Sequence, residues 1–154
     1  MTTMTEINLA TQVYQVFIKA RPEQIWDAIT KPEFIAKYFH GAHVESTFEP
    51  GAVYKSYSPD KSKLWVDAEI FESEPPRKLS HSWRSFYDDE TADEPPSRVT
   101  WEIAQSAGGV SLLTVTHDQL DASPKTAASV AGPGWMLVLS GLKTLVETGR
   151  PMHD

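Results

Sequence analysis

The 154-residue chain has no cysteine, which excludes a disulfide framework, a thiolate metal site and a cysteine nucleophile. It also removes any sign of an oxidising compartment. The opening MTTMTEINLATQ lacks a basic segment leading into an apolar stretch, so no secretory signal is read and cytoplasm is the expected location. Cations are scarce: 14 Lys and Arg face 21 Asp and Glu, a formal net charge of −7. A basic face for phosphate contacts is missing, so no nucleic-acid partner is expected. No apolar run approaches the ~20 residues that span a bilayer, and no membrane insertion is expected.

Other absences narrow the chemistry. The five histidines are scattered without H-x-x-x-H or H-E-x-x-H spacing, and no carboxylate-rich calcium loop occurs, so no metal is expected. No serine lies in a G-x-S-x-G context. Gly132-Pro133-Gly134 opens a helical segment but lacks the lysine and preceding strand of a phosphate cradle. No cofactor is expected.

The chain does hold 40% hydrophobic and 23% charged residues, the balance of a globular protein. Its length fits one domain over 1–154, with 1–11 expected to be a flexible N-terminus. Tyr14, Val16 and Ile18 alternate with Gln15, Phe17 and Lys19, which predicts a first strand. Pro22 and Pro32 then each stand where a helix best accepts proline, predicting two short helices, the second with a broad face of Phe34, Ile35, Tyr38 and Phe39. From His43 to Leu120 strand-like runs alternate with turn residues. Strands are predicted near 43–49, 52–58, 64–74, 77–86, 97–105 and 110–118, forming an antiparallel sheet.

The acidic stretch YDDETADEPP reads as a solvated loop between strands, with a mobile lid as the functional alternative. Arg84 and Arg98 flank it and are expected to pair with it across the strands. DASPKTAASVAGPG reads as a loop with at most a turn of helix, and GWMLVLSGLKTLVETG as a closing helix. That helix starts with five apolar residues, Trp135 to Leu139, more than a one-sided stripe needs.

One terminal helix covers one face of a sheet, so the sheet must curl around it. Strand parity places Leu79, His81 and Trp83 on the inward face of one strand. Val99, Trp101 and Ile103 share that face on the next strand, as do Leu113, Val115 and His117 on the last. Four of these nine are Trp or His, too polar-tipped for a plain aliphatic core.

The stretches VFIKARPEQIWDAITKPEFIAKYFHG (16–41), VDAEIFESEPPRKLSHSW (66–83), PSRVTWEI (96–103), LTVTHDQL (113–120) and GWMLVLSGLKTLVETG (134–149) carry a family resemblance across almost the whole chain. The chain resembles the START and birch-pollen-allergen-like superfamily. Within it, the chain is similar to stand-alone proteins like the C-terminal domain of the activator of heat-shock protein 90 ATPase. The resemblance implies an α+β helix-grip fold: a curved antiparallel sheet of about seven strands gripping a long C-terminal helix, with two short helices after the first strand. It also implies a hydrophobic pocket between sheet and helix.

The expected function is binding of a small, largely apolar ligand in that pocket. The candidate contacts are Trp26, Phe34 and Tyr38 at its mouth, Tyr54, Tyr57, His81, Trp83, Trp101 and His117 on the sheet, and Trp135, Met136 and Leu139 on the helix. Leu142 and Leu145 are assigned to the core. The first alternative is a cyclase, dehydratase or hydrolase using His81 or His117 to move a proton. An isolated inward histidine is ordinarily a hydrogen-bonded core residue, so this ranks below ligand contact. A co-chaperone acting on heat-shock protein 90 ranks last, because family members that do this carry a further N-terminal domain for which the chain has no room. Apolar residues left over on the helix are also compatible with a homodimer.

Overall fold

The computed structural model describes residues 10–153. The expected flexible segment lies outside these apart from Ala10 and Thr11, and the Ala10 carbonyl accepts the Leu120 N–H at 3.3 Å. Seven strands form one antiparallel sheet, β1 Gln12–Ile18, β2 His43–Glu45, β3 Val53–Tyr57, β4 Leu64–Glu74, β5 Lys78–Ser85, β6 Ser97–Gln105 and β7 Ser111–Asp118. Their spatial order is β1-β7-β6-β5-β4-β3-β2, so the first strand returns to lie beside the last. The sheet curves, and a register shift between Ile70 and Glu72 of β4 adds a bulge that helps bend the β4–β5 pair. This is the helix-grip fold.

Two helices, α1 Pro22–Thr30 and α2 Pro32–Tyr38, follow β1 and begin at their prolines as the sequence predicts. The acidic stretch contains a one-turn helix, α3 Asp89–Ala92, because the Asp88 carboxylate accepts the Thr91 N–H at 2.9 Å and caps it. After β7 the chain is more helical than the sequence suggests. α4 Pro124–Ser129 runs through a π-helical turn, Val130–Gly134, into α5 Trp135–Thr148. Only Gly132 leaves helical geometry (φ −69°, ψ −146°), so the segment expected as a loop is a kinked continuation of the last helix.

That run, Pro124–Thr148, is long and apolar enough by composition to cross a membrane. Its apolar side chains are nonetheless used inside the protein. Trp135, Val138, Leu139, Leu142 and Leu145 are all buried against the concave face of the sheet and the short helices. Gly141 lets α5 approach α2 closely, since a β-carbon there would lie 3.2 Å from the Tyr38 Cβ. Across the sheet, the nine residues that parity turns inward, from Leu79 to His117, are every one buried.

The two arginines take different partners from those expected. Arg98 forms a bidentate pair with Asp118 of the neighbouring strand (2.9 and 2.6 Å) rather than with the acidic stretch, because Arg98↔Asp118 is a register pair of β6 and β7. Arg84 reaches the acidic segment, but its guanidinium donates to the Ala92 carbonyl at the end of α3 (2.9 and 2.6 Å), not to a carboxylate.

Candidate functional site

The site is built on a layer of rings that β5, β6, β7 and α5 bring together. Trp135, the first residue of α5, lies between Trp83 (ring centroids 5.8 Å apart), Trp101 (5.4 Å) and His117 (6.0 Å). Tyr54 of β3 stacks on His81 at 5.2 Å with the rings 7° from parallel. Edge contacts dominate elsewhere, as the aromatic quadrupole favours.

Hydrogen bonds fix the protonation of both histidines. Indole N–H groups only donate. Trp101 Nε1 donates to His81 Nε2 at 3.0 Å, so His81 carries its proton on Nδ1 and gives it to the Ser82 carbonyl at 2.7 Å. Trp135 Nε1 donates to His117 Nδ1 at 3.1 Å, so His117 Nε2–H donates to Ser97 Oγ at 2.7 Å, and that hydroxyl passes on to the Trp83 carbonyl at 3.3 Å. Burial lowers His81 to about 4, and burial with the neighbouring His81 lowers His117 to about 3. Both rings are neutral near pH 7, with each nitrogen engaged inside the protein. Neither has a free position for moving a substrate proton.

Against this layer lies a cavity of about 420 Å³. Phe39 and His40, just after α2, form one side, and Trp65 of β4, Trp83 of β5 and Tyr87 form another. The helical segment closes it with Ser129, Val130, Gly134, Trp135 and Val138. Trp65 and Tyr87 are brought together because the Phe86 N–H donates to the Trp65 carbonyl at 2.8 Å, leaving their rings 5.6 Å apart. Burial pushes the Tyr87 hydroxyl up to about 12. The Trp83 Nε1–H is buried and has no hydrogen-bond partner among the described residues.

Of the residues singled out from the sequence, Trp83 and Trp135 line this cavity, while His81, Trp101, His117 and Tyr54 form the ring layer around them. The rest lie apart. Tyr38 is buried and donates its hydroxyl to the Ala28 carbonyl at 2.8 Å, and Phe34 borders a separate hollow of about 330 Å³ near the end of α5. Trp26 is half-buried against the core, and Tyr57 pairs with His43 at the edge of the sheet. Met136 is 56% exposed, and Leu139 packs in the core with Leu142. Sequence reasoning missed Trp65, Tyr87, Phe39, His40, Ser129, Val130, Gly134 and Val138 as lining residues. Trp65 and Tyr87 had a readable signal, as aromatics side by side at the open end of the β4–β5 pair.

No group of three or more His, Asp or Glu residues among the described residues is placed to hold a metal ion.

The family model described as "Activator of Hsp90 ATPase homolog 1-like protein" matches residues 19–147. The chain belongs to this family. None of the curated proteins compared is similar enough in sequence to count as a match. Among solved structures, the chain is similar to CalU16 from Micromonospora echinospora (23% identity, TM-score 0.71, covering 93% of this chain and 77% of that one). It is also similar to PFC0360w, described as an Hsp90 activator from Plasmodium falciparum (20%, 0.71, 92% and 98%). A third likeness is to the Aha1 dimer from Colwellia psychrerythraea (16%, 0.69, 90% and 97%). At these identities the likeness shows the shared helix-grip fold.

Proposed function

We propose that this protein binds a small, largely apolar molecule, in the cytoplasm, in the cavity between the sheet and the start of α5. The observation that carries this reading is the cavity itself, about 420 Å³ walled mainly by aromatic and aliphatic side chains. A volume of roughly 300–1,000 Å³ with few polar groups is the usual form of a small-molecule site. Native mass spectrometry of gently purified protein, followed by titration with a panel of apolar compounds, tests it. A co-purifying molecule, or saturable binding that cavity-filling variants abolish, is the expected result. Absence of both across the panel would overturn the reading.

Family membership favours a second reading, stimulation of an Hsp90-type ATPase through a surface of this domain. Adding the purified protein to the chaperone and measuring ATP hydrolysis tests it, and an unchanged rate would retire it. Self-association is compatible with either reading, because Met136 and Leu137 of α5 are exposed apolar residues. Light scattering reads it directly.

A further inference from the structure

We infer that β1 is a docking edge for a second copy of this chain, the two β1 strands pairing antiparallel about Gln15 to join two sheets into one. This surface lies outside the cavity and does not depend on the binding reading. β1 ends the sheet and has a neighbouring strand, β7, on one side only. Bonds at its two ends fix which backbone groups face outward. The Ala10 carbonyl accepts the Leu120 N–H just beyond β7, so the even-numbered residues of β1 turn their backbone groups toward β7 and the odd-numbered ones turn away, as an antiparallel ladder requires. At the other end the outward Phe17 carbonyl accepts from Lys143 Nζ (2.8 Å), and the outward Lys19 N–H donates to the Glu147 carboxylate (2.8 Å). Between these ends the backbone groups of Val13 and Gln15 and the Phe17 N–H face outward with no strand to pair with among the described residues.

The unpaired stretch is complementary to itself. A two-fold axis at Gln15 sets Gln15 against Gln15 of the second copy, and Val13 against its Phe17. Val13 and Phe17 are each 57% exposed, so the pairing covers two apolar contacts. The charged side chains with which edge strands ordinarily block such pairing are absent from residues 11–18. In a chain of net charge −7, a neutral strip is also where two copies meet with least repulsion. The α5 face that brings Lys143 and Glu147 to this edge continues at helical spacing through Ser140 to Met136. Met136 is 56% exposed, which places a further apolar contact alongside the new ladder.

Sedimentation of the native protein over a range of concentrations is expected to show a monomer–dimer equilibrium, tightened by salt as the net charge is screened. Gln15→Pro removes only an outward N–H and so leaves the β1–β7 ladder intact. It should weaken the dimer by about tenfold or more, the range for two lost hydrogen bonds, with little change in melting temperature. The absence of native cysteine permits a second arm that survives if Gln15→Pro fails to fold. Under mild oxidation Gln15→Cys should cross-link to itself, because its two copies face each other at the axis. Val13→Cys mixed with Phe17→Cys should cross-link faster than either alone, and Ser106→Cys, on the exposed β6–β7 turn, should stay largely uncoupled. A monomer at every concentration would overturn the inference and leave the edge to a strand of another protein. A dimer that tolerates Gln15→Pro but is lost in Leu137→Lys would overturn it in favour of the hollow between α2 and α5 that Leu137 borders. Coupling at position 15 no faster than at 106 would overturn the register.

Discussion

Trp135 donates its indole N–H to Nδ1 of His117 at 3.1 Å, which joins the first turn of the last helix to the last strand of the sheet. The acceptor must be an unprotonated ring nitrogen, so this contact and its counterpart between Trp101 and His81 exist only while the histidines are neutral. A pH dependence follows. Both groups titrate below their ordinary value of 6.5 in the folded protein, His81 at about 4 and His117 at about 3, so below 6.5 the unfolded chain binds more protons. Stability is therefore fully present above pH 6.5 and falls as the pH drops toward 4, by up to about 1.4 kcal/mol per pH unit per histidine. Thermal melts from pH 7.5 to 4 should show this slope, and His81→Gln or His117→Gln should flatten it. A slope unchanged in both variants would show that the histidines are not its source.

The same geometry separates a structural from a catalytic histidine. Replacing His117 by Ala removes a buried ring and orphans the Trp135 N–H, with an expected loss of about 3–5 kcal/mol. Replacement by Gln, which keeps an acceptor and a donor, should lose markedly less. Urea unfolding gives both numbers. Equal losses would mean that packing, rather than the hydrogen bond, is what His117 provides.

Much of this was legible in the sequence, and the pattern of what was not is physical. Period-2 alternation placed Leu79, His81, Trp83, Val99, Trp101, Ile103, Leu113, Val115 and His117 on one face, and all are buried. The prolines fixed the starts of α1 and α2. The pairing of each histidine with an indole was not legible, because it depends on strand register and on where α5 docks. Met136 shows the limit of reading a helix by composition. An unbroken apolar run suggests enclosure on more than one side, yet Trp135 and Val138 line the cavity while Met136, between them, is exposed. Trp65 and Tyr87 were missed because they lie beyond the inward-facing run of their strands. The backbone bond from Phe86 to Trp65 brings them to the cavity.

Glu94 ties the acidic segment to the start of α4. Its carboxylate accepts the N–H groups of Lys125 (2.9 Å) and Thr126 (2.6 Å) and the Thr126 hydroxyl (2.8 Å). Partial burial raises its pKa, but these three donors together outweigh that and hold it below the ordinary 4.5. The contribution to stability is thus present above pH 4.5 and lost as the pH falls below it. Tyr87 and Ser129, on the two segments that Glu94 joins, both line the cavity. Glu94→Ala is expected to cost about 1 kcal/mol, as for loss of a helix cap, and to speed hydrogen exchange at residues 88–96 and 124–130. Unchanged exchange there would show that the other ties, Ser123 Oγ donating to the Pro95 carbonyl at 2.7 Å and Lys125 Nζ paired with the Glu90 carboxylate at 3.0 Å, hold the segments without it.

Gly141 sets how closely α5 can approach α2. A β-carbon there meets the Tyr38 Cβ at 3.2 Å and its backbone at 3.6 Å, and Tyr38 is held from behind by its bond to Ala28. Leucine at this position must push the helices apart or strain both, an overpacking cost of about 1–3 kcal/mol, which exceeds the gain of roughly 1 kcal/mol in helix propensity over glycine. Gly141→Leu should lower the melting temperature, and a rise would mean that the α2–α5 contact yields more easily than its buried Tyr38 implies.

Val138 offers the cleanest separation of the cavity from the stability of the fold. It is 3% exposed and lines the cavity one turn along α5 from Trp135, so a larger side chain there can extend into about 420 Å³ of space. Filling a cavity commonly adds about 0.5–2 kcal/mol, whereas the same substitution in a closed core would cost stability by overpacking. Val138→Phe is therefore expected to leave the melting temperature equal or raised while weakening binding of any cavity ligand by more than about tenfold, the equivalent of 1.4 kcal/mol. Leu142→Phe, one further turn along and 0% exposed, is the control and should destabilise. If Val138→Phe destabilises as much as Leu142→Phe and leaves ligand binding unchanged, the ligand does not occupy this cavity, and the hollow of about 330 Å³ beside Phe34 and Leu145 becomes the place to look.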